Sequence, residues 1–336
     1  MVTDLLQIET PEQFTAALER ASELLRAGEL VAVPTETVYG LAANALEEGA
    51  VQRIYEVKGR PARNPIIVHV ASRSMARYCS SGWNWQAEQL AHEFWPGPLT
   101  IVVAKSDLIP AVVTAGGPTV GIRWPLHPFI QQLINHCGFP IAAPSANLSN
   151  QLSPTTAKHV LRTLNGRIPL IVDGGASNVG IESTVVDLSA DVVRVLRPGI
   201  ISEWQIAAVL GITVLPRGVS EAMLKSPGLL EKHYSPRARL IITQWRDDSA
   251  LLFLAQQTGV PPHKVAVIAY EKIPRNHSFV RVAVIPHDPP AYARAIYSEL
   301  HLSDEAGAEL ILVESIPEGP EWEGIRDRLN RASAVS

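Results

Sequence analysis

The segment Val57 to Val70, VKGRPARNPIIVHV, sets Lys58, Arg60 and Arg63 within six residues and then enters an apolar run, Ile66–Val70, broken only by His69. From Val57 to Ala87 there are five cations (Lys58, Arg60, Arg63, Arg73, Arg77) and no Asp or Glu, although the chain as a whole carries a formal net charge of −4. Charge segregated in this way suits a polyanion. Lys and Arg beside Gly59 and Pro61, leading into a strand, are placed to hold phosphates at the edge of a sheet. Taken alone, the cluster also fits a solvated basic loop. Its meaning depends on three other polar segments that close short apolar runs: Thr35–Thr37, Ser145–Asn147, and Ser183 through Arg197.

Size and composition restrict what those segments serve. A chain of 336 residues, 46% apolar and 18% charged, buries a large core and exceeds one ordinary domain. No apolar run approaches the roughly 20 residues needed to cross a bilayer. The start MVTDLLQIETPEQ has no Lys or Arg and so does not read as a secretory signal. Cys79 and Cys137 are too few for a disulfide framework or a four-cysteine zinc site and read as small buried hydrophobes. A cytoplasmic protein with no membrane segment is expected. Between Val57 and Val172, ten Lys or Arg face three acids (Glu88, Glu93, Asp107), so the rest of the chain is strongly acidic. That balance favours a small anionic ligand over a long nucleic-acid track.

The elements that must position these residues are short. Thr10-Pro11-Glu12-Gln13 reads as a capped helix start, with the helix running to about Ala27 and stopping at Gly28. Leu30–Val33 is a buried strand. Thr35, Glu36 and Thr37 then stand where open α/β sheets place ligand contacts, or else form a strand-to-helix turn with Thr caps. Glu47–Val57 is a helix delivering the chain to the Lys58–Arg63 loop. Ile66–Val70, Leu99–Ala104, Thr119–Arg123, Pro140–Ala143 and Pro169–Val172 read as strands, with helices at Gln86–Phe94, His127–His136, Thr155–Leu164 and Ser202–Leu210. Arg123 closes its strand, where burial is costly unless an anion pairs with it. Ser183–Asp187 and Val192–Leu196 pair across a polar turn. In Pro144–Asn150 small residues let backbone N–H groups approach a ligand, though a plain Ser/Asn turn fits too. Residues 1–210 form one domain and 211–239 a linker and lid. Strand and helix alternate from 240 to 336, which suggests a smaller, parallel, doubly wound domain with no phosphate-loop motif.

In order and spacing, PTETVYGL, KGRP with NPIIVHV, VGIRWP, APSANLS, ESTVVD and LRPG resemble the threonylcarbamoyl-AMP synthases with a YrdC-like domain. The resemblance spans roughly residues 10–210, and the remainder is similar to the extra domain of the long, two-domain branch. It implies a YrdC-like twisted, open mixed sheet with helices, followed by a Rossmann-like parallel α/β domain. It also implies nucleotidyl transfer: L-threonine and bicarbonate or CO2 give a carbamate, which attacks the α-phosphorus of ATP. Threonylcarbamoyl-AMP and pyrophosphate form, and downstream tRNA threonylcarbamoyl-transfer proteins use the adenylate. By motif, Lys58, Arg60, Asn64, Thr119, Ser145, Asn147, Ser153 and Arg197 match ATP-binding positions, with Lys58 and Arg60 in the catalytic role. Thr37, His69, Arg123, Ala143 and Ser183 match the threonine pocket. Tyr234 in the linker matches a residue that lies against the nucleotide. Mg2+ is expected with ATP, and no protein ligand for it is assigned. Ala42 replaces the family's usual Gly after GL. The alternative is an RNA-binding module using the basic cavity. Its weakness is the lack of aromatic residues between the Lys and Arg clusters, and weak direct binding to tRNA stays open. A hydrogenase-maturation carbamoyltransferase would need zinc-binding cysteines that two residues cannot supply.

Overall fold

The computed structural model describes residues 2–215, 234–275 and 278–334. These divide into two compact units. The first holds the described residues up to Leu215, except for Asn150–Leu152. That short segment belongs with Tyr234 onward in the second unit, where Asn150 O accepts from Ser235 N. The expected lid falls mostly on residues 216–233, outside the described residues.

The first unit contains β1 (Asp4–Gln7), α1 (Pro11–Arg26), β2 (Val31–Val33), β3 (Gly40–Asn44), α2 (Glu48–Lys58), β4 (Val68–His69), α3 (Arg73–Tyr78) and α4 (Trp85–Phe94). It continues with β5 (Leu99–Ala104), β6 (Thr119–Arg123), α5 (Pro128–Cys137), β7 (Ile141–Ala142), α6 (Ala157–Leu164), β8 (Leu170–Asp173), β9 (Thr184–Asp187), β10 (Arg194–Arg197) and α7 (Glu203–Leu210). The capping box of α1 is formed as its sequence requires: Thr10 Oγ1 accepts from Gln13 N, and Gln13 Oε1 accepts from Thr10 N.

The strands form one mixed ten-stranded sheet, ordered β1-β8-β2-β3-β7-β4-β6-β5-β9-β10. Several details differ from the sequence expectation, among them strand β1, which it did not include, and β7, which is shorter than Pro140–Ala143. The segment after Thr37 is neither a cap nor a helix start but β3, antiparallel to β2, so Pro34–Tyr39 is a hairpin connection. Strand Ile66–Val70 contracts to two residues because its flanks bond elsewhere. Ile66 N donates to Val113 O, and Ile67 O accepts from Ala143 N. Helix α3 gives no strong periodic signal; it starts on a Ser72 cap to Met75 N and changes the fate of two cations, as described below.

Register decides what the faces carry. His69 pairs with both Arg123 and Ile141, and Thr100 pairs with Val185, which in turn faces Arg197 across a bulge. These residues share one sheet face. The alternate residues Val68, Ile122, Ile101, Leu99 and Val186 point to the other face and form the main core with α2, α4, α6 and α7. On the first face, α1 and α5 cover only the β8, β2, β3 and β7 side, through Val31, Val33, Ala42, Ile141, Leu170, Phe129 and Ile130. Over β6, β5 and β9 that face carries Arg123, Thr100 and Ser183 beside a small buried apolar cluster of Val102, Val185 and Leu196.

The second unit contains β11 (Arg239–Thr243), α8 (Asp248–Thr258), β12 (Val265–Ala269), β13 (Arg281–Val284), α9 (Pro289–Glu305), β14 (Leu310–Glu314) and α10 (Glu323–Ser333). Its four strands are all parallel in the order β11-β14-β12-β13. The core is built from Val265, Val267, Leu310 and Leu312 against Leu251 and Ala255 of α8. This is the Rossmann-like arrangement expected from alternating strands and helices. No described helix in either unit is long and apolar enough to cross a membrane.

Candidate active site

Helix α2 ends on Gly59, whose backbone is left-handed at φ +59°. A residue with a side chain is strained there, and glycine lets Lys58 finish the helix while Arg60 starts the loop in a new direction. Both side chains turn inward, 2% and 8% exposed. Lys58 Nζ donates to Ser145 O and Asn147 O, each at 2.5 Å, and lies 3.2 Å from Asn147 Oδ1. Ser149 N donates back to Lys58 O. The lysine therefore clamps the loop after β7 to the end of α2. Burial, and secondarily the Arg60 guanidinium, pull the Lys58 ammonium well below its usual pKa. Three oxygen acceptors work against that pull.

Arg60 is folded onto its own loop, Nε donating to Asn64 O (3.1 Å) and Nη2 to Pro65 O (2.8 Å). Asn64 is buried, and its Nδ2 has no hydrogen-bond partner in the structure. Ser145 Oγ donates to Asn147 Oδ1 at 2.6 Å. Lys58, Ser145 and Asn147, three of the residues expected to meet ATP, thus form one hydrogen-bonded group. The other cations of the basic stretch do not join it. On α3, Arg73 and Arg77 stand one turn apart and pair with Glu88 at 3.0 and 2.8 Å on the surface, and Arg63 is exposed. The five-cation cluster seen in sequence is therefore two buried residues and three solvated ones.

On the polar sheet face, Arg197 Nε and Nη2 donate to Ser183 O, Nη2 also reaches Ser183 Oγ at 3.1 Å, and Ser183 Oγ lies 2.8 Å from Thr100 Oγ1. The turn that returns Arg197 here needs Gly199, since a Cβ at that position would sit 2.5 Å from Thr184 N. Ser153 Oγ donates to Glu182 Oε1 at 2.5 Å. Thr119 lies on the Arg123 face of β6, four residues away, or about 13 Å along the strand. Ala143 is buried with Ile141 and Val33. Tyr234 belongs to the second unit, its ring 6.0 Å from Tyr297 and 5.3 Å from the Arg328 guanidinium.

The hairpin Pro34–Tyr39 is braced on every side. Thr35 Oγ1 accepts from Thr37 N and Val38 N and donates to Val38 O. Ser177 Oγ, Val179 N and Gly180 N donate to the carbonyls of Thr35, Glu36 and Thr37. Tyr39, fully buried, donates to Gly175 O and accepts from Gly174 N.

So held, the hairpin aims Glu36 at Arg123. Their closest atoms, Oε1 and Nη2, are 2.8 Å apart and both residues are 4% exposed. The contact is an ion pair without hydrogen-bond alignment. Both Glu36 oxygens, Arg123 Nε and Nη2, and the neighbouring His69 Nδ1 have no hydrogen-bond partner in the structure. Burial, then the Arg123 charge, hold His69 well below the usual histidine pKa, so it is neutral. Buried polar atoms left bare in this way are what a polar ligand would satisfy.

Arg123 at a strand end demanded an anion, and the structure supplies Glu36. Sequence reasoning named Glu36 as a possible ligand contact but did not place it in the site. It passed over Thr100, His127 and Glu182 altogether, although Glu182 opens the ESTVVD motif.

Residues 23–199 match the Sua5/YciO/YrdC family model, described as telomere recombination, and residues 201–334 match that of the threonylcarbamoyl-AMP synthase C-terminal domain. A threonylcarbamoyl-AMP synthase of Pyrococcus abyssi is 40% identical over 322 residues, covering 93% of both chains. One of Bacillus subtilis is 40% identical over 337 residues, covering 99% of this chain and 96% of the relative. The crystal structure of P. abyssi Sua5 complexed with L-threonine superposes with a TM-score of 0.88 at 37% identity, over 99% of this chain and 98% of that one. With buried cations gathered at one loop, an unsatisfied Arg–Glu–His group on the neighbouring sheet face, and matches along its whole length, the chain belongs to the threonylcarbamoyl-AMP synthase family.

Proposed function

We propose that this protein makes threonylcarbamoyl-AMP and pyrophosphate from L-threonine, bicarbonate or CO2, and ATP, as a cytoplasmic nucleotidyltransferase serving tRNA threonylcarbamoyladenosine synthesis. The observation that carries the reading is two sets of buried charge in one unit. Lys58 holds the Ser145–Asn147 loop and Arg60 lies buried on the adjoining Asn64–Pro65 loop, while Arg123 stands with Glu36 and His69. The reaction brings a carbamate and a triphosphate together and expels pyrophosphate, so fixed positive charge and alignment supply most of the catalysis.

ATP lies along Lys58, Arg60, Asn64, Thr119, Ser145, Asn147, Ser153 and Arg197. Threonine lies along Thr37, His69, Arg123, Ala143 and Ser183, with Arg123 forking its carboxylate. The carbamate oxygen attacks the α-phosphorus, the bond from that phosphorus to the α,β-bridging oxygen breaks, and pyrophosphate leaves against Lys58 and Arg60. No side chain forms a covalent intermediate. Ser183 Oγ lies against Arg197 Nη2 and Thr100 Oγ1, neither of which is a base that could activate it as a nucleophile.

The described residues contain no group of three or more His, Cys, Asp or Glu placed to hold a metal. Mg2+ would arrive on the triphosphate, neutralising it, while the protein's donors act on the phosphate oxygens. The RNA-groove alternative loses its basis, since Lys58 and Arg60 are buried and Arg73 and Arg77 are paired with Glu88. Incubation with ATP, labelled threonine, bicarbonate and Mg2+ tests the reading. Threonine-dependent pyrophosphate and a labelled mixed anhydride are expected; pyrophosphate release indifferent to threonine would refute it.

A further inference from the structure

The buried pair Glu36–Arg123 carries one anion and one cation, each with polar atoms that make no hydrogen bond. An amino-acid zwitterion brings the same two charges. Its carboxylate fits Nε and Nη2 of Arg123, and its ammonium fits the two oxygens of Glu36, in place of the Oε1–Nη2 contact. Exchanging the internal pair for the zwitterion leaves the net charge of the site unchanged and gives the bare polar atoms partners. A ligand lacking either charge would leave one buried ion uncompensated. We propose that Glu36 binds the ammonium of the substrate amino acid and accepts its proton, freeing the amine to form the carbamate. The inference rests on the reading that threonine is the substrate.

The chemistry requires such an acceptor. An ammonium has no lone pair, so it must lose one proton before attacking carbon. With the proton on Glu36, the amine forms the N–C bond to bicarbonate, the C–OH bond breaks, and the departing hydroxide leaves as water with a second amine proton. The carbamate carries the remaining negative charge, and Glu36 returns its proton to solvent after product release.

The groups facing Glu36 exclude the alternatives. His69, on β4, sits in register beside Arg123, so a proton taken there would make a second buried cation against the first. His127, at the start of α5, already accepts from Phe129 N through Nδ1, and its other edge meets the Gly174 backbone. Arg123, on β6, has no basic lone pair. The carboxylate is the one of these groups suited to take the proton.

The test uses the full chain and three measurements: L-threonine binding, binding of a non-hydrolysable ATP analogue, and threonine-dependent pyrophosphate release against pH. Glu36→Gln keeps the shape but cannot take a proton. It should weaken threonine binding by about tenfold or more while ATP-analogue affinity stays within about twofold. Its turnover should fall by about 100-fold near neutral pH and climb about tenfold per pH unit toward the ammonium's own pKa, where wild type is flat. Glu36→Asp should retain part of the activity and the flat profile. If Glu36→Gln does not fold, wild type carries the test. 2,3-Dihydroxybutanoate, which lacks the amine, should compete about tenfold or more weakly than threonine. An active wild type beside a Glu36→Gln enzyme with unchanged affinity and pH profile overturns the role of Glu36 alone, as does equal competition by the desamino acid. A wild type inert toward threonine overturns the assigned reaction, and the proton role with it.

Discussion

Lys58→Met separates two roles that the structure assigns to one ammonium. Methionine keeps the buried stem but removes the donor, leaving Ser145 O, Asn147 O and Asn147 Oδ1 without the lysine. Hydrogen bonds from a charged donor contribute about 1.5–3 kcal/mol each, so the two 2.5 Å contacts represent about 3–6 kcal/mol. Against this, the variant no longer buries a charge in a site where desolvation and Arg60 oppose it. The net loss should be about 2–4 kcal/mol, which for a unit of this size lowers the melting temperature by roughly 4–16 °C. Thermal melting should show that fall, and amide exchange should show lost protection around Ser149, whose N–H bonds to Lys58 O. Threonine-dependent pyrophosphate release should drop by about 100-fold or more. A dead enzyme with an unchanged melting temperature and a protected loop would refute the clamp, leaving Lys58 only its charge.

Other perturbations follow the same geometry. Gly199→Ala forces a Cβ toward Thr184 N and the Ser183 carbonyl carbon. It should cost about 1–3 kcal/mol in urea denaturation and weaken ATP-analogue binding by displacing Arg197. Arg60→Ala should reduce pyrophosphate release by about 100-fold while circular dichroism stays native; near-normal turnover would remove Arg60 from the nucleotide site. His69 and His127 are both depressed below the ordinary histidine value in the fold, so the unfolded chain binds more protons. Stability should therefore fall as pH drops below about 6.5, by up to ~1.4 kcal/mol per pH unit for each histidine, until the folded values are passed. Urea midpoints from pH 7 to 5 should show the slope, and His69→Gln, which removes the more strongly depressed of the two, should take away the larger share of it.

Local chemistry in the sequence was enough for much of this. Thr10 and Gln13 specify their capping box through neighbours three residues apart, and Gly59 permits the turn between Lys58 and Arg60 whatever surrounds it. The strand expected over Ile66–Val70 needed tertiary information to bound it. Ile66 and Val70 have strand-like side chains, but their N–H groups bond to Val113 O and Arg123 O, partners far away in sequence.

The sequence alone determined which residue types close each strand, and the burden Arg123 would carry if buried. Only the tertiary structure decided that Glu36 relieves it, because a hairpin ending β2 had to be pinned by residues 177–180 before its carboxylate could reach β6. Tertiary structure likewise sorted the basic stretch, sending Lys58 and Arg60 inward and leaving Arg73 and Arg77 to Glu88. Caps, turns and alternation act over a few residues and are written into them. The partner of a buried charge is fixed by strand order and register, which bring together residues about 90 positions apart, as with Lys58 and Asn147.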